Sequence, residues 1–311
     1  TILYAIYVVM TILNVVFLLF GNMPFFDAVC TAFGTAGTGG FGIKNDSIAS
    51  YSPYLQNVTT VFMILFGVNF SCYYLLILGS WKSVLKDEEL RAYVGIALAA
   101  VVVLVLNIRQ LYGSLAQTLH HAAFQVSSVM TTTGFSTVDF DKWPELSRMI
   151  LLMVMCIGAC AGSTGGGFKV SRLILLLKNA LKELRSISHP RSIKVIKFDG
   201  HVVSDETMRG TLAYLTLYVL TFCISILIVS ADKTDMVSNI TGVVATLNNI
   251  GPGFGVCGAT GNFSTFSNLS KFVFIADMLL GRLELFPLIC LFMPPRNRAK
   301  LSLFGKELRR K

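Results

Sequence analysis

Apolar stretches alternate along the chain with short segments rich in glycine and threonine, and the same order recurs three times. A helix needs about 20 apolar residues to cross a hydrocarbon core of ~30 Å, and these stretches approach or exceed that length. We therefore predict an all-α membrane protein. The predicted spans cover residues 1–21, 54–79, 92–108, 145–182, 210–230 and 266–294.

Each pair of spans encloses a helix too short to cross the membrane, followed by a turn of small residues. A backbone that enters a membrane without spanning it must line a water-filled path or be buried in protein. Glycine lets such a backbone turn its carbonyls inward, and inward carbonyls replace the hydration shell of K+ in channel filters. The pattern predicts an ion pathway rather than a packing loop. The short helices are predicted at 25–36, 115–131 and 236–249, and the filter-like turns at 37–42, 132–136 and 250–255.

The alignment of these three turns decides which residues would bind the ion. We align Gly37, Gly134 and Gly251 as equivalent glycines. In the alternative alignment, Gly40 and Gly253 match Gly134, because a phenylalanine follows all three. Under the first alignment, K+ is the only metal ion for which a site is predicted. Its predicted ligands are Ala36, Gly37, Thr38, Thr132, Thr133, Gly134, Asn249, Ile250 and Gly251.

The predicted span 145–182 is interrupted at 158–168 by five glycines together with serine and threonine. Each glycine costs ~1 kcal/mol relative to alanine inside a helix, so this segment should not stay helical. Loose backbone below a filter could form a gate, and the alternative is a hinge or a close contact between helices. A basic amphipathic helix is predicted to follow at 169–185. The predicted gating residues are Gly162, Ser163, Thr164, Gly165, Gly166, Gly167 and Lys169.

Arg282 is a further gating candidate, because a charge inside an apolar span is expensive and usually functional. Asp277 and Glu284 are five and two residues away, whereas pairing on one helix face requires a spacing of three or four. Carbonyls freed by the break at 158–168 are therefore the expected acceptors. A cation beneath the filter would repel permeant cations. Alternatively, Arg282 extends its charge to the membrane surface.

Composition supports the membrane assignment. The chain is 54% hydrophobic and 14% charged, with a mean hydropathy of +0.67, whereas soluble domains are about a quarter charged. Of the 26 Lys and Arg residues, three lie in 79–91, nine in 169–209 and seven in 296–311. By the positive-inside rule, these segments face the cytoplasm. The net charge of +9 thus reflects topology, and no nucleic-acid partner is expected.

Other functional classes fit the sequence poorly. The seven cysteines and four histidines do not have metal-ligand spacing, and no cofactor is expected. An intramembrane protease using Ser163 would need a histidine base at membrane depth, and the apolar spans contain none. The chain is therefore not expected to be an enzyme. A non-conducting scaffold would not explain three filter-like turns.

Four segments carry a resemblance to a known family: TTTGFS at 131–136, GACAGSTGGGFKVSR at 158–172, NNIGPGFG at 248–255 and GRLELF at 281–286. They resemble the Trk/Ktr/HKT superfamily of K+ transporters, and most closely its TrkH branch of bacterial K+ uptake proteins. The resemblance covers essentially the whole chain. It implies four membrane-pore-membrane units around one pore, with a gating loop in the third unit and a pore arginine in the fourth.

By this resemblance, residues 1–79, 92–185 and 209–295 correspond to the second, third and fourth units, and 296–311 to a basic cytoplasmic tail. The first unit has no counterpart, so we expect an N-terminally truncated piece that does not conduct selectively alone.

The resemblance also implies a homodimer in the bacterial inner membrane, in contact with lipids and with a cytosolic ring of nucleotide-binding regulatory subunits. K+ would be the transported ion, through a channel or a symporter. Na+ permeation, or Na+-coupled K+ uptake, is the alternative. The filter position that separates them belongs to the first unit.

Overall fold

The computed structural model describes residues 2–188, 195–283 and 287. These residues are mostly helical, and the predicted all-α membrane fold with three tandem membrane-pore-membrane units is confirmed. The helices are α1 (Ile2–Phe20), α2 (Phe25–Ala36), α3 (Pro53–Phe66), α4 (Phe70–Ile77), α5 (Trp81–Lys86), α6 (Glu88–Ile108), α7 (Leu115–Met130), α8 (Glu145–Ile157), α9 (Val170–Ser188), α10 (Asp205–Val229), α11 (Met236–Leu247) and α12 (Asn268–Leu283).

The long apolar helices match the sequence pattern well. Helices α1 and α10, and the stretch Glu88–Leu111 that begins with α6, are long and apolar enough to cross a membrane. Helix α6 begins four residues before the predicted position 92, because Asp87 caps it by accepting the Leu90 N–H at 2.7 Å. The predicted polar loop at 186–209 contains a small antiparallel hairpin of β1 (Lys197–Phe198) and β2 (His201–Val202).

The predicted span over 54–79 is not one continuous helix. Helices α3 and α4 are bent by 88° at a three-residue break. Asn69 starts the second helix anew, because its side chain accepts the Ser71 N–H at 2.9 Å. The chain also passes close to α6 here, since a Cβ built on Gly67 would lie 2.4 Å from the Tyr93 hydroxyl. We call residues 1–79, 92–185 and 209–295 units one, two and three of this chain. Unit one thus contains a broken second helix, as unit two does.

The middle unit lies between the other two. Helix α7 packs against α3 of unit one and against α6 and α8 of its own unit, while α8 also contacts α11 of unit three. The last turns of α7 and α11 are buried, continuously over Phe124–Met130 and Thr241–Leu247, whereas Phe33 in the last turns of α2 is exposed. The backbones of α7 and α11 therefore enter the membrane region surrounded by protein, as a re-entrant segment must. We call α2, α7 and α11 the re-entrant helices.

Some predicted features lie outside the described residues. These are Glu284, the end of the predicted span 266–294 and the basic tail 296–311.

Candidate functional site

The three re-entrant helices end in the same backbone turn. Their C-cap residues are Gly37, Thr131 and Asn248, and each donates its N–H to the carbonyl four residues earlier. The next residue has a left-handed backbone in every case, which is uncommon for residues other than glycine. These residues are Thr38 (φ 49°), Thr132 (φ 58°) and Asn249 (φ 56°). The repeat seen in the sequence is therefore also a repeat of backbone geometry.

This geometry corrects the alignment of the glycines. Two residues after the left-handed position, each turn has a glycine with positive φ, and these glycines are Gly40 (64°), Gly134 (87°) and Gly251 (111°). Gly37 is a helix cap with φ −81°, so the predicted equivalence of Gly37 and Gly134 is wrong. The alternative pairing of Gly40 with Gly134 is right, but Gly253 is not the third member. The turn of unit one therefore comprises Thr38, Gly39 and Gly40, and Ala36 is still helical.

The aligned glycines bring neighbouring turns into direct backbone contact. A Cβ built on Gly40 would lie 1.8 Å from the carbonyl oxygen of Thr133. One built on Gly134 would lie 1.9 Å from the carbonyl oxygen of Ile250, the equivalent residue of the next unit. Only glycine permits this approach, so the turns of units one, two and three contact one another in chain order. A Cβ at Gly251 meets no described atom within 4 Å.

Arg282 reaches the end of this assembly where the re-entrant helices terminate. Its Nη2 donates to the Gly37 carbonyl at 2.9 Å, and its Nη1 donates to Thr38 Oγ1 at 3.1 Å and to the Thr164 carbonyl at 3.2 Å. The expectation that a carbonyl of the broken segment accepts from Arg282 is thereby confirmed at Thr164. Helix C-termini carry partial negative charge, which favours a cation at this point.

The broken segment covers the other two helix ends. Gly166 donates its N–H to Thr132 Oγ1 at 2.6 Å, and a Cβ on Gly166 would lie 2.6 Å from the Asn248 carbonyl oxygen. A Cβ on Gly165 would lie 3.1 Å from the Thr131 carbonyl oxygen. Residues 158–169, which we call the intramembrane loop, therefore lie directly against units two and three. Glycine at these positions permits that close approach.

The intramembrane loop is also bonded to the break in unit one. Cys160 donates its N–H to the Gly67 carbonyl at 3.1 Å, and the Thr164 hydroxyl donates to the Phe66 carbonyl at 3.2 Å. Both carbonyls lack helical partners because α3 ends at this point. The two broken helices thus satisfy each other's backbone groups. Sequence reasoning missed this pairing, although the Gly-Val-Asn sequence inside an apolar stretch was a signal of the break.

Several predicted gating residues shape the loop itself. Gly162 and Gly167 have positive φ values of 71° and 78°, and the Lys169 side chain donates to the Gly165 carbonyl. The Ser163 hydroxyl donates to the Cys160 carbonyl at 2.6 Å, so it stabilises a turn in the loop.

Comparison with known proteins agrees with this geometry. Residues 1–301 match the family model described as TrkH, cation transport protein. The chain is 38% identical to the Trk system potassium uptake protein TrkH of Salmonella typhimurium over 296 residues, which are 94% of this chain and 61% of that protein. The chain belongs to the TrkH family. It is thus an integral membrane protein.

Two further relatives place the chain within this family. It is 33% identical over 278 residues to the Trk system potassium uptake protein TrkG of Escherichia coli, covering 87% of this chain and 56% of that protein. The crystal structure of the potassium transporter TrkH from Vibrio parahaemolyticus superposes with a TM-score of 0.86 at 34% identity, covering 94% of this chain and 63% of that one. The chain thus spans about three-fifths of the length of its TrkH relatives.

A cavity of about 840 Å³ lies beside the intramembrane loop, at the end of the turns where the re-entrant helices terminate. Its walls include the intramembrane loop, Arg282 and the first turns of α1 with Tyr4 and Tyr7. Arg282 is exposed to this space. The arginine and the loop separate the cavity from the turns.

The opposite end of the turns, which we call the mouth, is stabilised by bonds between units. Ile48 donates its N–H to the Ser136 carbonyl at 3.2 Å, and Ser136 donates its own N–H to Ser47 Oγ at 3.2 Å. Units two and three are joined by the Gly255 N–H, which donates to Asp141 Oδ2 at 3.1 Å. Neighbouring TrkH-family units therefore contact each other directly at the mouth.

Asp235 adds a negative charge near the mouth of unit three. It caps α11, and hydrogen bonds from the hydroxyl and N–H of Ser238 hold the pKa of this carboxyl below its ordinary value. The carboxylate therefore stays ionised at neutral pH, where it favours cations over anions near the mouth.

Proposed function

We propose that this chain provides three sides of a K+ uptake pathway. The three equivalent turns contact one another in chain order and would surround the path, with the C-terminal ends of three helices below them. The observation that carries the proposal is that Arg282 and the intramembrane loop cover these helix ends. Arg282 bonds the Gly37 carbonyl, while Gly165 and Gly166 lie against the carbonyls of Thr131 and Asn248. The charge of Arg282 and the backbone of the intramembrane loop thus lie at the same place, where a cation would leave the turns.

The ion would lose its water against the backbone carbonyls of the turns. The residues we propose to line this path are Thr38, Gly39, Gly40, Thr132, Thr133, Gly134, Asn249, Ile250 and Gly251. Carbonyl oxygens substitute for hydration water around K+, as in other cation filters. The intramembrane loop and Arg282 would block the path in this conformation and release the ion when they move. We propose K+ rather than Na+ as the transported ion because the named relatives are potassium uptake proteins.

The chain's surroundings follow from the same proposal. We place the basic segments 79–91, 169–209 and 296–311 in the cytoplasm, because positive residues accumulate there. The membrane would be the bacterial inner membrane. The protein would act as a homodimer with a cytosolic nucleotide-binding subunit of the Trk system, and its three units would be the second, third and fourth of four.

The test is 86Rb+ uptake into proteoliposomes that contain the full-length protein. K+ in the external medium should suppress Rb+ uptake, and the same concentration of Na+ should not. Equal competition by the two ions would favour the Na+-permeable alternative, and absence of uptake by the protein with its cytosolic partner would contradict the proposal.

Arg282→Ala should raise Rb+ uptake in this assay, because it removes the charge that faces the ion at the end of the turns. Arg282→Lys should have a smaller effect, since one ammonium cannot reproduce the forked guanidinium contacts. The matched control is Arg109→Ala, which removes the same charge from an exposed position after α6. Unchanged uptake by the Arg282→Ala protein would show that this arginine is not part of the gate.

A further inference from the structure

One buried carboxylate bonds both ends of the intramembrane loop. Glu89 Oε1 accepts the N–H of Ala161 at 2.6 Å and the N–H of Ser171 at 3.0 Å. Ala161 lies early in the loop, and Ser171 lies in the first turn of α9, directly after it. The Glu89 residue is only 4% exposed. A single oxygen therefore fixes the distance between the two ends of the segment that covers the turns.

The position of Glu89 suits this task physically. The first N–H groups of a helix have no partner within the helix, and a carboxylate there is stabilised by the helix dipole. Bonds from N–H groups to a carboxylate are stronger than bonds between neutral groups. Burial raises the cost of leaving those N–H groups unpaired, so losing the carboxylate would free both ends of the loop at once.

The turn that carries Glu89 is also tied to the small hairpin of β1 and β2. The neighbouring Glu88 donates its N–H to Asp199 Oδ1 at 2.7 Å, and its carboxylate forms an ion pair with Lys178 of α9. Lys178 donates in turn to the Lys197 carbonyl at 2.7 Å. The hairpin, the middle of α9 and the start of α6 therefore form one connected group, and Glu89 links this group to the loop.

We propose that Glu89 is the positioning residue of the gate. It holds the intramembrane loop against the re-entrant helix ends, and it transmits displacement of the hairpin to the loop through the first turn of α6. This inference rests on the proposed ion pathway, since a gate requires a flux to control. Glu89 itself does not touch the ion. Its role is to set the equilibrium between a covering and a displaced loop.

The first test is amide hydrogen exchange in the full-length protein. Glu89→Ala should accelerate exchange in the peptide covering 158–172 on the order of tenfold or more, as expected for the loss of charge-assisted bonds. Glu89→Gln should change it less, because an amide oxygen can still accept both bonds. Exchange in α11 should be unchanged, which excludes general unfolding. The matched control is Glu183→Ala, since Glu183 is an exposed carboxylate on α9.

The second test is 86Rb+ flux through the same proteins. Glu89→Ala should raise flux severalfold, with Glu89→Gln in between and Glu183→Ala at the wild-type value. A structural defect would lower flux instead, so faster exchange together with reduced flux would overturn the proposal. Unchanged exchange and flux in Glu89→Ala, with increased flux in Arg282→Ala, would reject Glu89 while leaving the pathway intact. If no variant carries flux, the pathway fails, and exchange alone decides whether Glu89 holds the loop.

Discussion

The mouth and the loop end of the three turns are built differently. At the mouth, neighbouring units bond to each other directly, as Ser136 of unit two does with Ser47 and Ile48 of unit one. At the loop end, the cover is supplied by Arg282 and the intramembrane loop, which are additional to the contacts between turns. The mouth contacts cannot change without separating the units, whereas the loop-end cover can be withdrawn. The difference suggests a fixed shape at one end and a movable barrier at the other.

The largest effect should come from disturbing the backbone contact between the turns of units two and three, on which both the mouth and the loop end depend. Gly134→Ala introduces a methyl group 1.9 Å from the Ile250 carbonyl oxygen, at a φ of 87°. A strained backbone of this kind costs about 1–3 kcal/mol, and the clash adds to it. We expect loss of selective Rb+ uptake and a lower melting temperature, measured by fluorescence in detergent.

The control for this variant is Gly95→Ala. Gly95 lies within α6, and a Cβ there meets no described atom within 4 Å. Alanine is about 1 kcal/mol better than glycine in a helix, so this variant should be as stable as the wild type or more so. A Gly134→Ala protein that retains K+ selectivity would mean that the contact between turns two and three does not define the pathway.

The next largest effect should come from a variant that disturbs only the loop end of the turns. Gly166→Ala places a methyl group 2.6 Å from the Asn248 carbonyl oxygen, so the loop must shift away from unit three while the mouth contacts remain. We expect Rb+ flux to rise severalfold with little change in K+ over Na+ selectivity. Gly113→Ala is the control, since it has no described neighbour within 4 Å. A fall in both flux and selectivity would show that the loop supports the turns rather than covering them.

The sequence predicted the parts of this comparison that depend on residue type. Apolar length identified α1, α6 and α10, and the glycine content of 158–168 identified the loop. The freed carbonyls of that segment correctly predicted a partner for Arg282, because an unpaired guanidinium at membrane depth requires an acceptor.

The parts that depend on exact register could not be read from residue type. Gly37, Gly39 and Gly40 are chemically identical, and their difference is where α2 ends: Gly37 caps the helix, while Gly40 has a φ of 64°. The bend between α3 and α4 was missed for a related reason. Its stability comes from carbonyls at Phe66 and Gly67 that bond to a loop 90 or more residues later in the chain. Hydrophobic periodicity contains no information about such a pairing.

The smallest effect should come from loosening one contact at the mouth. Asp141 accepts the Gly255 N–H and lies 2.9 Å from Arg148 Nη2, in an ion pair between partly exposed side chains. Asp141→Asn keeps an acceptor for Gly255 but removes the charge, so we expect a loss of stability of about 1 kcal/mol. Glu145→Gln is the matched control, since Glu145 pairs with the same Arg148 at 2.9 Å while 81% exposed. That variant should leave the melting temperature unchanged. Asp141→Asn should lower it slightly without raising Rb+ flux, because the loop end is untouched. Increased flux from Asp141→Asn would mean that the mouth also gates, and the division between a fixed and a movable end would fail.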